Sequence, residues 1–267
     1  MGLSKEQVGR YGRQLILPEV GVAGQERLLA SSVLIVGAGG LGSPAALYLA
    51  AAGVGTLGIV DPEPVALSNL HRQIVHASEG IGTPKTESAA ARLGALNPGV
   101  AVRPITQRFA AENARALVEA YDLVLDGSDN FPTRYLVNDA CVIAGRPLVH
   151  GAAVRLNGQL MVVRPRQSAC YRCLFPEPPR AEEIPSCQEA GVLGPVTGII
   201  GSLMAHEALK LLLNIGQPLT DRLLTYDGVS GRFREAALRR DPSCAVCGEA
   251  PAILAPVAID SHVCLER

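Results

Sequence analysis

The chain contains no tryptophan, and aromatic residues make up only 4% of its 267 positions. A platform for stacking successive nucleic-acid bases needs such rings, so none is expected. Charge is sparse as well: 18% of residues are charged, and 24 basic against 25 acidic side chains leave a net charge of −1. That balance argues against an extended nucleic-acid-binding face. No uninterrupted apolar run reaches the roughly eighteen residues of a membrane span, and Met1-Gly2-Leu3-Ser4-Lys5 opens no secretory signal. A cytoplasmic protein, with no membrane contact and no direct nucleic-acid contact, is the expectation. Internal repeats and low-complexity linkers are also missing, so residues 1–267 read as one domain. With 48% hydrophobic residues, that domain can bury a large core.

Cysteine is present but unevenly placed. Seven cysteines without an export signal do not read as a disulfide scaffold. Four of them form two pairs, Cys170-Tyr-Arg-Cys173 and Cys244-Ala-Val-Cys247. One such pair alone could be redox-active. Two together supply a tetrahedral thiolate set that suits structural zinc and leaves no open position for catalysis. Cys141 falls in an apolar helical pattern and reads as packing, and Cys264 has no assignable role. His71, His76, His150, His206 and His262 show no ligand spacing and read as ordinary.

The most informative stretch is 32–61. An apolar run at 33–36 predicts a strand buried on both faces. It ends in Gly37-Ala38-Gly39-Gly40-Leu41-Gly42, a G-x-G-x-x-G pattern, followed by an Ala/Leu-rich helix to about Ala52. A second strand at 56–60 ends in Asp61, nineteen residues after Gly42. Glycines let the backbone turn and approach a phosphate, the helix N-terminus attracts that phosphate, and the acid can accept from a ribose hydroxyl. A nucleotide with a ribose fits; NAD and ATP both remain open at this point.

Further strands are expected at 101–106, 123–126 and 147–153, and helices at 112–120 and 133–144. Asn157-Gly158 predicts a type I′ hairpin turn that adds antiparallel strands to a parallel sheet. A Pro-, Glu- and Cys-rich segment at 165–194 reads as a mobile crossover loop. It precedes an apolar helix at 194–215 and strands at 223–227 and 233–238. The fold class is therefore α/β: a Rossmann-like, mostly parallel sheet with helices on both faces, antiparallel C-terminal strands and a zinc clip. Around the predicted crevice, Ser68 and Asn69 could bond a ribose or phosphate, and Arg72 could pair bidentately with phosphate oxygens. Lys85 falls in the first turn of a helix, where the dipole disfavours a cation, so an anionic ligand would explain it. Asp129 and Asn130 follow a strand end and face the same crevice, while Asp126 could cap the next helix.

Taken in order, these stretches resemble the ThiF/MoeB-type adenylyltransferases, relatives of ubiquitin-activating enzymes. The markers are Arg10-Tyr11-Gly12-Arg13-Gln14, the glycines at 37, 39, 40 and 42, Asp61, residues 68–73, Lys85, Asp129-Asn130-Phe131, both cysteine pairs and Pro185-Ser186-Cys187. The resemblance implies ATP with Mg²⁺ and a ubiquitin-like sulfur-carrier protein ending in Gly-Gly, whose C-terminal carboxylate is adenylated. It further implies a homodimer in which Arg13, within N-terminal helices at 1–30, reaches the neighbouring site. Arg72 and Lys85 match phosphate binders, Asp61 the ribose binder, and Asp129 a residue at the Mg²⁺–phosphate end. Cys187 matches a cysteine that in some members attacks the adenylate. The sulfur donor is expected to be a separate sulfurtransferase or cysteine desulfurase.

Overall fold

Ser32–Val36 (β1) and Leu123–Asp126 (β4) lie side by side inside an eight-stranded sheet. The computed structural model describes residues 2–179 and 190–259. The strand order is β3-β2-β1-β4-β5-β6-β7-β8. Thr56–Val60 (β2), Ala101–Ile105 (β3) and Leu148–Val154 (β5) run parallel to β1 and β4. Asn157–Val163 (β6), Arg222–Asp227 (β7) and Arg232–Ala237 (β8) continue the sheet antiparallel. The chain leaves β1 towards β2 and β3, then returns to the other side for β4 and β5. Such a reversal opens a crevice beyond the carboxyl ends of β1 and β4.

Helices cover both faces because the central strands are apolar on both. Val33 and Ile35 of β1 join a core built from Gly21–Ala30 (α2), Gly42–Ala52 (α3), Lys85–Leu96 (α4) and Gly194–Leu213 (α8). Leu34 and Val36 face the opposite core, with Ala111–Glu119 (α5), Phe131–Ala144 (α6) and the short Tyr171–Leu174 (α7). Lys5–Leu15 (α1) begins at a capping box: Ser4 Oγ accepts from Gln7 N at 3.1 Å, and Gln7 Oε1 accepts from Ser4 N at 2.8 Å.

One expectation needs correction. The β5–β6 turn is Arg155-Leu156, with Arg155 at φ 54°, and Asn157-Gly158 already belongs to β6. Gly158 is small for a different reason: a Cβ there would overlap Ile200 of α8. A Cβ at Gly151 on β5 would likewise overlap Met204. Helix α8 by length and mean hydropathy of 1.4 could cross a membrane. It instead lies against α3, β5 and β6, with Ile200, Met204, Ala205 and Ala208 in the core.

Candidate nucleotide crevice and metal centre

The glycine loop leaves β1 through Gly37, at φ 94°, whose N–H donates to Val60 O at 2.8 Å. Only glycine adopts that backbone without strain. A Cβ on Gly42 would overlap Gly37 O, and one on Gly40 would stand 3.1 Å from Thr197 at the start of α8. Gly194, the first residue of α8, is pressed onto the His71 carbonyl. The N-terminal turns of α3 and α8 thus meet at the loop.

The loop is clamped at Ala38. Asp61 Oδ2 accepts from Ala38 N at 2.9 Å, and its Oδ1 accepts from Glu63 N at 2.9 Å. His76 Nε2 lies 3.0 Å from Ala38 O and Nδ1 lies 3.0 Å from Ser88 Oγ. The carbonyl can only accept, so Nε2–H donates to it and Nδ1 accepts from the hydroxyl. Burial, foremost among several influences, lowers the His76 pKa and keeps the ring neutral. Burial also raises the Asp61 carboxyl, although Lys85 and the two backbone N–H groups pull the other way.

Lys85 is 3% exposed, and its ammonium meets Glu63 Oε2 at 2.5 Å. Lys85 N also donates to Glu63 O at 3.0 Å, and Glu63 N donates to the Asp61 carboxylate that clamps Ala38, which ties the lysine to the glycine loop. Arg72 Nη1 lies 3.1 Å from Ser68 O and 2.7 Å from His71 Nε2, holding the guanidinium against its own loop. Ser68 is exposed, and Asn69 Oδ1 accepts from Ala66 N at 3.0 Å as a local turn cap. Gln73 closes the 68–73 marker stretch, with no role of its own assigned from the sequence. It is 4% exposed, its Nε2 lies 3.7 Å from where a Gly39 Cβ would sit, and its Oε1 has no hydrogen-bond partner among the described residues. A buried amide with an orphaned oxygen, beside a loop stripped of side chains, fits a polar ligand there.

Gly127 docks on the same loop: a Cβ on Gly37 would lie 3.0 Å from Gly127 O. Asp129 follows, exposed, with Asn130 Nδ2 3.4 Å from its Oδ1. The α6 N-cap is Asn130, which accepts from Thr133 N at 3.0 Å, so Asp126 does not cap that helix. Asp126 is instead fully buried, bonded to Ser128 and to His150.

Arg13 is not brought to this crevice within its own chain. Helix α1 packs at the far end of α3, where Gln14 Nε2 donates to Ala52 O at 3.1 Å. Arg13 lines a cavity of about 410 Å³ with Arg10, Gln14, Tyr48, Ser202 and His206. The eleven residues of α3, ~16 Å long, separate that cavity from the glycine loop.

On the opposite face of the sheet, Cys170, Cys173, Cys244 and Cys247 place their sulfurs within 4.8 Å of one another. Measured edges are 3.7 Å for Cys170–Cys244, 3.9 Å for Cys170–Cys173 and 3.4 Å for Cys173–Cys247. A tetrahedron with Zn–S bonds of ~2.3 Å has edges of ~3.8 Å, so the cluster is consistent with zinc. Asp241 N donates to Cys173 Sγ at 3.4 Å, a backbone support for that sulfur. Cys187 lies outside the described residues.

A doubly wound α/β sheet, a glycine loop at its switch point, a buried lysine beside it and a four-thiolate clip define a nucleotide-binding protein with an accessory metal centre. The chain belongs to the ThiF family, whose model matches residues 11–246. It is 52% identical over 256 residues to a "Sulfur carrier protein adenylyltransferase" of Thermus thermophilus, covering 94% of each chain. It is 50% identical over 249 residues to the "SAMP-activating enzyme E1" of Haloferax volcanii, covering 93% of this chain and 92% of that protein. The "Adenylyltransferase and sulfurtransferase MOCS3" of Sus scrofa is 52% identical over 252 residues, but there the match spans 94% of this chain and only 55% of the relative. Among solved structures, E. coli MccB shares the fold, with a TM-score of 0.81 at 22% identity over 93% of this chain and 74% of that one.

Proposed function

We propose that this protein adenylates the C-terminal carboxylate of a ubiquitin-like sulfur-carrier protein ending in Gly-Gly, releasing pyrophosphate. The product is then ready for thiocarboxylate formation by a separate sulfurtransferase or cysteine desulfurase, in molybdopterin, thiamine or tRNA thiolation. Relatives at about half identity bear the names of a sulfur-carrier adenylyltransferase and a SAMP-activating enzyme, which supports this substrate class. The observation that carries the reading is the buried Lys85 ammonium, tied through Glu63 and Asp61 to the glycine loop.

The chemistry asks for that arrangement. A C-terminal carboxylate has a pKa of about 3.5, so it is ionised at neutral pH and needs no general base. One of its oxygens attacks the α-phosphorus of ATP, and the bond to the pyrophosphate oxygen breaks. The barrier lies in bringing an anion to a polyphosphate, so cations and backbone N–H groups at the phosphates lower it. Lys85, Arg72 and the N-terminal turn of α3 fill that role, and Asp61 takes the ribose. Ser68, Asn69 and Asn130 complete the nucleotide contacts. Asp129 would hold Mg²⁺, which neutralises phosphate charge. Arg13 acts from the neighbouring subunit of a homodimer. The four clustered cysteines hold one zinc that braces the fold. Cys187 takes the carrier from its adenylate: the thiolate attacks the acyl carbon, AMP leaves, and a thioester forms.

The test is ATP–pyrophosphate exchange with purified chain and carrier. Exchange should require a carrier that ends in Gly-Gly and should vanish when those two residues are removed. Binding of NADH with no response to ATP overturns the reading.

A further inference from the structure

The proposed chemistry makes no use of the buried pair Asp126 and His150. Asp126 ends β4 with no exposed surface, and His150, 3% exposed, stands directly across from it on β5. The His150 Nδ1 to Asp126 Oδ2 distance is 2.8 Å. The other carboxylate oxygen accepts from Ser128 N at 3.0 Å and from Ser128 Oγ at 2.6 Å. Burial alone would push the Asp126 carboxyl up, yet the bond from His150, aided by Ser128 and Arg134, holds it below the usual carboxylate range. An ionised carboxylate only accepts, so the Nδ1–H of His150 donates to it.

We infer that His150 is a positioning residue for adenylation, acting through Asp126 to fix the 127–130 loop beside the glycine loop. The inference rests on the function proposed above. Its physical basis is a continuous chain of contacts. Gly127 N donates to Val36 O at 2.9 Å, at the point where β1 gives way to the glycine loop. Ser128 is tethered to Asp126 twice, and the next residue is Asp129. Asp126 is therefore the hub that sets where Asp129 leaves the sheet. A buried carboxylate that loses its donor must be protonated, turn away or draw in water, and each outcome loosens Ser128. The imidazole also packs on Tyr171, with centroids 4.8 Å apart and planes at 62°. Tyr171 directly follows Cys170 of the cysteine cluster, so the same ring joins the thiolate clip to the crevice.

Two substitutions separate the hydrogen bond from the packing. His150→Phe keeps a ring against Tyr171 and removes the donor. His150→Asn sets an amide N–H where Nδ1–H stood and gives up the ring. With the full zinc-loaded chain, hydrogen exchange of the 127 and 128 amides is read beside ATP–pyrophosphate exchange at saturating carrier. In His150→Phe those amides should exchange about tenfold faster, and kcat should fall about tenfold with the carrier KM unchanged. His150→Asn should return both to within about threefold of wild type, although it gives up more packing. If His150→Phe does not fold, Ser128→Ala carries the test, since it removes a tether at the loop and should move both readouts the same way by a smaller factor. Wild-type values in His150→Phe, no recovery in His150→Asn, or an unmoved Ser128→Ala would overturn the inference. Altered amide exchange with no pyrophosphate exchange even in wild type supports the tether and refutes the function proposed for the crevice.

Discussion

Lys85 places an ammonium in the first turn of α4, where the helix dipole opposes it, and buries that charge almost completely. Its partner Glu63 is two-thirds exposed, so the pairing only partly offsets the desolvation. In the function proposed above, the triphosphate of ATP is the anion that would make the position favourable. Lys85→Ala and Arg72→Ala should therefore each lower ATP–pyrophosphate exchange on the order of a hundredfold, by removing charge stabilisation of the transition state. A loss below about tenfold in steady-state kcat would take either residue out of that role. Asp126 yields a prediction about pH. Its folded pKa is depressed, so its contribution to stability is complete above the unfolded value of about 3.9 and is lost as pH falls through the folded value. Urea midpoints measured from pH 6 to pH 3 should drop less steeply at the acid end in Asp126→Asn than in wild type. Asp61 works in the opposite sense. Burial raises its pKa, so its charge costs stability above the folded value, and that cost disappears as pH falls.

At the scale of elements, the thiolate clip has the clearest mechanical role. Arg172 in α7 grips Asp139 of α6 with Nε and Nη2 at 2.8 to 3.0 Å, and Tyr171 N donates to Asn138 Oδ1 at 2.9 Å. Tyr135 Oη donates to Glu177 O at 2.6 Å, so the segment leaving the clip is also tied to α6. Cys247→Ser should lower Tm and zinc content together, because a structural zinc contributes directly to folding. Metal analysis that finds less than about half a zinc per chain, at normal stability, would refute a structural zinc. These elements also explain what the sequence disclosed and what it hid. The strand–glycine–helix unit, Lys85 in its helix and the cysteine spacing are local patterns, so their placement could be read from neighbours in the chain. Gly158 misled because its glycine serves a contact with Ile200, forty-two residues away, rather than the turn its Asn157-Gly158 pair suggests. His76 and His150 likewise act on Ala38 and Asp126, partners defined only by the fold. Gln73 lies in the 68–73 marker stretch, but its approach to Gly39 and its orphaned oxygen are set by the fold.

For the whole molecule, the question is why Arg13 stands at the wrong end of α3. Within one chain it lines the cavity near Ala52, while the glycine loop lies at Gly42. The surface there is unusually apolar for α1, α2 and α3: Ile16 is 71% exposed, Tyr48 58% and Val22 53%. A second copy covering that surface would account for both observations, with Arg13 completing the site of its neighbour. The consequence can be tested without resolving the assembly. In such a dimer, each site joins Lys85 of one subunit to Arg13 of the other. Arg13→Ala and Lys85→Ala homodimers both lack a complete site. A mixed dimer has one site that loses both residues and one that keeps both. Random association makes about half of the dimers mixed, each with one of two sites intact, so co-refolded variants should regain about a quarter of wild-type pyrophosphate exchange. If Arg13 served its own chain, every site in the mixture would lack one residue and nothing would be regained. Complementation read against mixing ratio, with the peak at equal amounts, decides between the two arrangements.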